Sequence, residues 1–131
     1  MNVSTPLADQ LGHYLDLATA QVKATAENMA NIDTPGYRTV GFDFDSEMQR
    51  ALRGSAMPGA VAAGSGNASA DRLAPSLSEV DGLLERPDGN NVSMEREGMQ
   101  LAEAQLKFRT GLELAKREYT RILDAIHADA K

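Results

Sequence analysis

Cysteine and tryptophan are absent from this sequence, and its aromatic content is low. Without cysteine the chain can form neither disulfides nor thiolate metal sites, and it has no cysteine nucleophile. Its aromatic residues are three Phe and three Tyr, so it lacks many of the large side chains that fill a typical core. The apolar content comes instead from Ala, Leu, Met and Val, which predicts a thin core.

The sequence also lacks an excess of basic residues and any long apolar run. Its formal net charge is −6, and it shows no basic patch or stripe of the kind that marks nucleic-acid binding. No run approaches the roughly 20 apolar residues needed to span a bilayer. The first six residues do not join a basic segment to an apolar one, so a cleaved secretory signal is not expected. A nucleic-acid-binding or membrane-spanning protein is therefore not expected.

An amphipathic helix is predicted in the N-terminal part of the chain, residues 1–32. Ser4 or Thr5 can cap it, and Pro6 suits the first turn, where its missing N–H is not needed. The helix should end before Pro35, because proline disfavours helical geometry in the residue that precedes it. Apolar or weakly polar positions recur every three or four residues, as in a coiled-coil seam: Leu7, Leu11, Tyr14, Ala18, Val22, Thr25, Met29 and Ile32.

A longer helix is predicted in residues 90–131, from about Ser93 to about His127. Asn90, Asn91 or Ser93 can cap its start. The segment contains as many acidic as basic residues, which is typical of a helix with many ion pairs. Its apolar stripe has coiled-coil spacing and consists of Phe108, Leu112, Ala115, Tyr119, Ile122 and Ile126.

The C-terminal helix has more than one apolar face. Val92, Met99, Ala102 and Leu106 form a second line that the first stripe does not continue. A single partner helix can cover only one of these faces, and a large uncovered apolar stripe usually marks an interface. The sequence therefore predicts a subunit of an assembly.

Two ion pairs are expected to support the same helix. Glu103 with Lys107, and Glu113 with Arg117, place an acid four residues before a base.

The middle of the chain, residues 33–89, has no long hydrophobic period. Residues 42–52 are predicted to form a short helix, residues 54–70 a flexible loop rich in Gly and Ala, and residues 83–86 a short strand. The expected fold is mainly α: the two long helices pair as an antiparallel, coiled-coil-like domain, and the middle is largely irregular.

A turn with a clear mechanism follows the first helix. In Thr34-Pro35-Gly36-Tyr37, proline sets φ at the second turn position and glycine supplies the positive φ of the third. This combination predicts a type II turn.

The longer string around this turn resembles the signature of the flagellar axial proteins, which form the rod and hook families. It lies at the end of an N-terminal amphipathic helix, and Asn28 just upstream also matches those families. The motif residues are Ala30, Asn31, Thr34, Pro35, Gly36, Tyr37 and Arg38.

A second string, at the start of the C-terminal helix, resembles the FlgB family of proximal-rod proteins more than the related FlgC family. It is followed by acidic residues, as in the FlgB pattern. Phe108 stands where that family usually has Tyr, and the run from residue 54 to residue 70 matches nothing in it. The second motif consists of Asp88, Gly89, Asn90, Asn91 and Val92.

The resemblance implies a structural subunit of the bacterial flagellar rod, with no enzymatic activity, cofactor, metal or small-molecule substrate. Such subunits are exported by the flagellar type III apparatus without cleavage of a signal. They assemble in the periplasm into a helical tube that transmits torque. Implied partners are further copies of the chain, other rod subunits, the adaptor and ring at the rod base, and the export apparatus. The residues expected to form the helix seam and assembly contacts are Leu11, Val22, Met29, Phe108, Leu112, Tyr119, Ile122 and Ile126.

Three alternatives stay open on sequence grounds: a FlgC-type rod subunit, a soluble helical export chaperone or adaptor, and a small metal-dependent enzyme. The last would use the helical pairs His13 with Asp16 and Asp124 with His127 as ligands. A chaperone should form a stable cytoplasmic dimer, whereas a rod subunit should be present in purified basal bodies.

Overall fold

The computed structural model describes residues 5–55 and 74–128. Its fold is mainly α, as predicted, with two long helices in contact beside a short helix and a small sheet. Within the described residues, no helix has both the length and the apolar content that crossing a membrane requires. The elements in chain order are α1 (Pro6–Ala30), β1 (Val40–Gly41), α2 (Phe44–Ser55), β2 (Ser78–Glu79) and α3 (Met94–Ala128).

Both ends of α1 have identifiable caps. The Thr5 hydroxyl accepts a hydrogen bond of 3.1 Å from the Ala8 N–H, which satisfies one of the free donors of the first turn. The helix ends at Ala30, slightly before the predicted end. The N–H of Asn31 is shared there between the carbonyls of Glu27 and Asn28, each 3.2 Å away. The chain therefore leaves the helix several residues before the proline of the turn.

Ser93 caps α3, one of the three residues predicted for that position. Its carbonyl accepts from the Glu97 N–H at 2.9 Å, and its hydroxyl accepts from the Arg96 N–H at 3.5 Å. The helix runs for 35 residues to Ala128, which confirms the predicted long C-terminal helix to within a residue at each end.

The helices α1 and α3 pack antiparallel along a narrow face of α3. The buried residues of α3 recur every seven positions: Glu97, Ala104, Gly111 and Glu118. At Gly111 the side chains of α1 leave no room for a side chain, since an added Cβ would lie 2.8 Å from Tyr14 Cδ1 and 3.0 Å from Leu15 Cδ2. Small residues at the centre of this face therefore allow α1 to approach closely.

Two buried glutamates hold the ends of this helix pair. The Thr5 hydroxyl donates to Glu118 Oε1 at 2.9 Å, and the Asn28 amide donates to Glu97 Oε2 at 2.9 Å. A buried carboxylate that loses its partners is costly. A slip of one turn between the helices would separate both pairs at once, so these contacts define the antiparallel register.

The predicted apolar stripe of α3 lies beside this contact face and not on it. Phe108, Leu112, Tyr119 and Ile126 remain 38–59% exposed, and Ile122 is half-buried. Since helical residues are about 100° apart, the stripe lies roughly 60° around α3 from the contact face. Within one chain the helices meet along the small residues because these permit the closer approach. A role for the stripe in assembly stays a prediction.

The apolar core is small, as the composition predicts. Leu17, Ala18 and Phe44 are buried together, and the rings of Phe44 and Tyr14 meet edge to face with centroids 5.3 Å apart. The Lys107 ammonium lies 4.3 Å from the centroid of the Phe44 ring, in cation–π geometry. This cluster attaches α2 to both long helices.

One of the two predicted ion pairs of α3 is present as expected. Lys107 lies 2.7 Å from the Glu103 carboxylate, whereas Glu113 pairs at 3.0 Å with Lys116 instead of Arg117. The hydrogen bond from Lys116, together with its charge and that of Arg117, lowers the pKa of the Glu113 carboxyl. Positions three and four residues away are both neighbours on a helix, so a competing lysine can displace the expected arginine.

The short helix α2 forms close to the predicted segment, but it begins and ends later. Asp43 caps it, because its carboxylate accepts from the N–H groups of Asp45 at 2.9 Å and Ser46 at 3.1 Å. Asp43 and Asp45, which flank Phe44 in the sequence, are exposed and belong to this cap and first turn.

The short strand predicted at residues 83–86 lies earlier in the chain. β1 pairs antiparallel with β2, so that Val40 faces Glu79 and Gly41 faces Ser78. The backbone of Arg86 instead donates to the Asn90 carbonyl at 2.8 Å, within the second motif. Most of the predicted Gly/Ala-rich loop lies outside the described residues.

The close approach at Gly111 gives a stability test with an internal control. We expect Gly111→Ala to lower the free energy of unfolding by about 1–2 kcal/mol, because the methyl group overpacks the helix contact. The control Gly98→Ala lies in the same helix and meets nothing within 4 Å. It should raise stability by about 0.5–1 kcal/mol through helix propensity. Urea unfolding followed by circular dichroism measures both, and equal effects would contradict the close helix contact.

Candidate functional site

The two sequence motifs, far apart along the chain, meet at one end of the helix pair. The Gly36 N–H donates to the Asp88 carbonyl at 2.8 Å. A Cβ added to Gly89 would lie 3.3 Å from Gly36 Cα. We call this region, residues 28–40 together with residues 85–97, the motif junction.

The first motif forms the predicted turn. The Tyr37 N–H donates to the Thr34 carbonyl at 3.2 Å, which closes the turn. Gly36 has a φ of +74°, as the third position of a type II turn requires. The facing Gly89 also has a positive φ, of +83°. The two glycines therefore let two tight turns approach backbone to backbone.

Asn90 links the second motif to the end of α1 and to the turn. It is fully buried, and its amide nitrogen donates to the carbonyls of Asn31 and Thr34, both at 2.9 Å. Its amide oxygen accepts from the Val92 N–H at 2.8 Å and from Arg86 Nη2 at 3.2 Å. The side chain makes four hydrogen bonds, which satisfy both its donors and both lone pairs of its oxygen.

Asn91 joins the segment that follows the turn. Its side-chain oxygen accepts from the Thr39 N–H at 2.6 Å, and its carbonyl accepts from the Thr39 hydroxyl at 3.3 Å. Its own N–H donates to the Tyr37 carbonyl at 3.4 Å. Asn90 and Asn91 thus bind adjacent parts of the first motif segment.

Asn28 holds the other side of that segment from within α1. Its amide donates to the Val40 carbonyl at 2.8 Å and accepts from the Val40 N–H at 3.0 Å, as a paired strand would. The same amide donates to Glu97, and its oxygen accepts from the Tyr37 hydroxyl at 3.1 Å. One side chain therefore connects α1, β1, the turn and α3.

The charges around this connection favour a neutral tyrosine. Burial raises the pKa of the Tyr37 phenol, and the negative charges of Glu27 and Glu97 act in the same direction. The phenol therefore keeps its proton and donates to Asn28 at neutral pH. Glu97 itself is fully buried and also pairs with Arg96 at 3.0 Å.

Two arginines tie the outer edge of the junction. Arg38 pairs with Glu85 and lies 3.8 Å from Glu79, while Arg86 Nη2 donates to the Ile32 carbonyl at 2.5 Å. The Arg38 pairs are largely exposed, so each contributes little to stability. Their effect is to hold the loop that precedes the second motif.

The motif residues of the sequence analysis are brought together here, with different degrees of burial. Ala30 is the exposed last residue of α1, and Pro35 is also exposed. Val92 is buried. The residues in or beside the hydrogen-bond network are Asn31, Thr34, Gly36, Tyr37, Arg38, Asp88, Gly89, Asn90 and Asn91.

The predicted seam residues are only partly brought together. Val22, Phe108 and Leu112 line a groove of about 480 Å³ between α1 and α3. Leu11 and Met29 are half-buried on α1, outside this groove. Tyr119, Ile122 and Ile126 lie farther along α3.

The chemistry of the junction is that of a closed hydrogen-bond network. Within the described residues, no buried side-chain nitrogen or oxygen lacks a hydrogen-bond partner. The same part of the chain contains no group of three or more His, Asp or Glu side chains arranged to hold a metal ion. The arrangement can fix the relative positions of a helix end, a turn and a helix start.

Comparison with known proteins gives the family. No protein-family model matches the chain. The FlgB rod protein of Salmonella typhimurium is 37% identical over 75% of this chain and 76% of its own length, and that of Escherichia coli is 33% identical over the same shares. The FlgB rod protein of Cereibacter sphaeroides is 30% identical over 95% of this chain and 99% of its own.

The chain belongs to the FlgB family of flagellar basal body rod proteins.

Membership of the FlgB family confirms the resemblance that the two motifs indicated. The protein is a structural subunit of the flagellar rod and not an enzyme. The family also decides against the three alternatives, the FlgC-type subunit, the export chaperone and the metal-dependent enzyme. The motif junction is therefore a structural site in a FlgB-family protein.

Sequence reasoning missed three residues of the junction. Thr39 has no recognisable motif, and Arg86 stood out only as part of a predicted strand. The local sequence marks Glu97 only as an acid in the first turn of α3. Its seven-residue spacing to Ala104, Gly111 and Glu118 is the signal that could have placed it on the contact face.

The network predicts unequal roles for two motif asparagines. Asn90→Ala should lower the free energy of unfolding by about 2 kcal/mol or more, because buried carbonyls and an N–H lose their partner. Asn31→Ala should cost at most about 1 kcal/mol, since its two side-chain bonds, to Glu27 and Thr34, are exposed. Urea unfolding compares them, and an equal or reversed order would refute the central position of Asn90.

The turn predicts a dependence on side-chain shape at Gly36. An added side chain there meets nothing within 4 Å, so only the backbone conformation opposes a substitution. Gly36→Val should destabilise the fold by about 1–2 kcal/mol, because a β-branched residue resists positive φ. Gly36→Asn should cost clearly less, because asparagine tolerates this region. Unfolding and swimming assays test the pair; normal motility and stability of the valine variant would rule out the turn assignment.

Proposed function

We propose that the chain is a proximal-rod subunit whose exposed apolar surface on α3 packs against neighbouring rod subunits in a helical, torque-transmitting tube. The exposed apolar side chains of α3 carry this proposal. In the single chain no other residues bury these side chains, and a large exposed apolar surface marks an interaction site. They are Met94, Met99, Leu106, Phe108, Leu112, Leu114, Tyr119, Leu123 and Ile126.

The unequal length of the helices supports the same proposal. α1 has 25 residues and α3 has 35, and Glu118 already lies at the level of Thr5. α3 therefore continues for roughly 15 Å past that level. Tyr119, Leu123 and Ile126 lie on this extension and are 52–59% exposed, so another chain is the natural partner for them.

The buried hydrogen bonds at the two ends of the helix pair suit a subunit that transmits torque. Buried contacts at Thr5 with Glu118 and at Asn28 with Glu97 oppose sliding of one helix along the other. A force applied to one helix is then passed to its partner without a change of register. Repeated contacts between different surfaces of successive subunits build a helical array, because such contacts need not close into a ring.

The family and the small core support finer assignments, which belong to the same proposal. We place the subunit in the periplasmic part of the rod, after export by the flagellar type III apparatus without a cleaved signal. Its partners would be further copies, other rod subunits, the adaptor and ring at the rod base, and the export apparatus. A core of few buried apolar residues would cost little to unfold during passage through a narrow channel.

A charge on the exposed stripe tests the proposal. Phe108→Asp should abolish or strongly reduce incorporation into hook–basal bodies, because a carboxylate would be buried at the subunit interface. The free energy of unfolding should change little, since Phe108 is 40% exposed in the single chain. Mass spectrometry of isolated basal bodies measures incorporation.

The matched control is Gln49→Asp, which adds the same charge to an exposed position on α2, away from the apolar side chains of α3. It should be incorporated like the unaltered protein. Normal amounts of the Phe108→Asp protein in basal bodies would contradict the assembly role of the stripe.

A further inference from the structure

Leu84 is a large apolar side chain that packs against almost nothing in its own chain. It is 93% exposed, and no other large apolar side chain among the described residues is as exposed. It lies in the segment between β2 and α3. Single exposed leucines are common on protein surfaces, so its meaning depends on how the backbone presents it and on what could receive it.

The backbone next to Leu84 is held by the motif junction. Glu85 pairs with Arg38. Arg86 is bound twice, through its side chain to the Ile32 carbonyl at 2.5 Å and through its N–H to the Asn90 carbonyl at 2.8 Å. Leu84 therefore projects from a fixed position. Because its backbone is already ordered, binding to a partner costs little additional conformational entropy.

The same chain contains a groove that could receive an apolar side chain. It lies between α1 and α3 and has a volume of about 480 Å³. Phe108 and Leu112, which line it, are 40% and 38% exposed. The lining residues are Thr19, Val22, Gln105, Phe108, Arg109 and Leu112.

We propose that Leu84 of one subunit inserts into this groove on a second copy of the chain. The inference rests on the proposed function, since it specifies one of the contacts by which rod subunits meet. It assigns to the motif junction a second task, the presentation of Leu84 to a neighbouring subunit.

Charge around the two surfaces is complementary. Asp81 and Asp88 are exposed on the segment that carries Leu84. Arg109 is the charged side chain among the residues that line the groove. The approach of an acidic loop to Arg109 favours this pairing and orients it.

The positions of the two surfaces produce a staggered contact. Leu84 lies at the junction end, whereas the groove at Phe108 lies roughly 16 Å along α3 from Glu97. The surfaces are different, so one copy can present its leucine to a second copy while its own groove receives a third. Such a contact extends an array and does not end it as a twofold dimer.

Disulfide crosslinking tests the contact cleanly because the chain has no cysteine of its own. In the variant with Leu84→Cys and Leu112→Cys, oxidation of isolated hook–basal bodies should give a covalent product of two copies, each of 14.0 kDa. A disulfide forms only when the Cα atoms are within about 7 Å. The control pairs Leu84→Cys with Thr110→Cys, on another side of α3, and should give no such product.

Three outcomes overturn the inference. They are the absence of the product although the double variant is present in basal bodies, an equal yield from the Thr110→Cys control, and a crosslinked product that contains a different protein. In each case the subunit is still found in the rod, so the proposed function stands. Absence of the unaltered protein from basal bodies would instead defeat the proposed function.

A second variant keeps the inference testable if the cysteine pair is not incorporated. Leu84→Asp should leave the free energy of unfolding unchanged, since the side chain is solvated in the single chain. Its incorporation into the rod should fall by about tenfold or more, as expected for an interface anchor. Normal incorporation would refute the role of Leu84. If the free energy of unfolding is unchanged and incorporation is reduced, the variant has lost the contact with its neighbour and not its fold.

Discussion

The carboxylate of Glu97 imposes the constraint on which the rest of this fold depends. It is fully buried, and a buried charge is tolerated only with partners in place. Its partners are Arg96 on its own helix and Asn28 on α1. Because Asn28 also binds Val40 and Tyr37, the helix pair, the turn and the sheet edge come together as one unit. The end of α1, the type II turn and the start of α3 therefore have few ways to move independently.

The two faces of α3 have separate uses. The face toward α1 is built on Ala104 and Gly111, and small residues there permit a close contact that leaves little room for large side chains. The large apolar residues lie around the helix and past the end of α1, where they stay exposed. A subunit of this kind buries few of its large apolar side chains within its own core. It is stabilised further when neighbouring subunits cover the exposed ones.

Much of the fold and the location of the site could be predicted from local signals. Pro6 and Thr5 mark the start of α1, Gly36 marks the turn, and the spacing of apolar residues predicts both long helices. Less predictable was the face on which the helices meet. Phe108 and Leu112 have the coiled-coil spacing, yet Gly111 allows the closer contact, and periodicity alone does not compare the two. The strand was also misplaced, because pairing of Val40 with Glu79 depends on a partner distant in sequence.

The sequence by itself determined the mainly helical class, the turn at Gly36 and the FlgB family, because these depend on local backbone preferences and on motifs. Tertiary structure alone decided that Asn90 and Asn28 would bind the two motifs together, and that Glu97 and Glu118 would hold the helix register. It also decided which apolar residues remain exposed, among them Leu84. Such outcomes depend on the distance between groups far apart in the chain, and on which face of a helix is covered, and neither is encoded in local spacing.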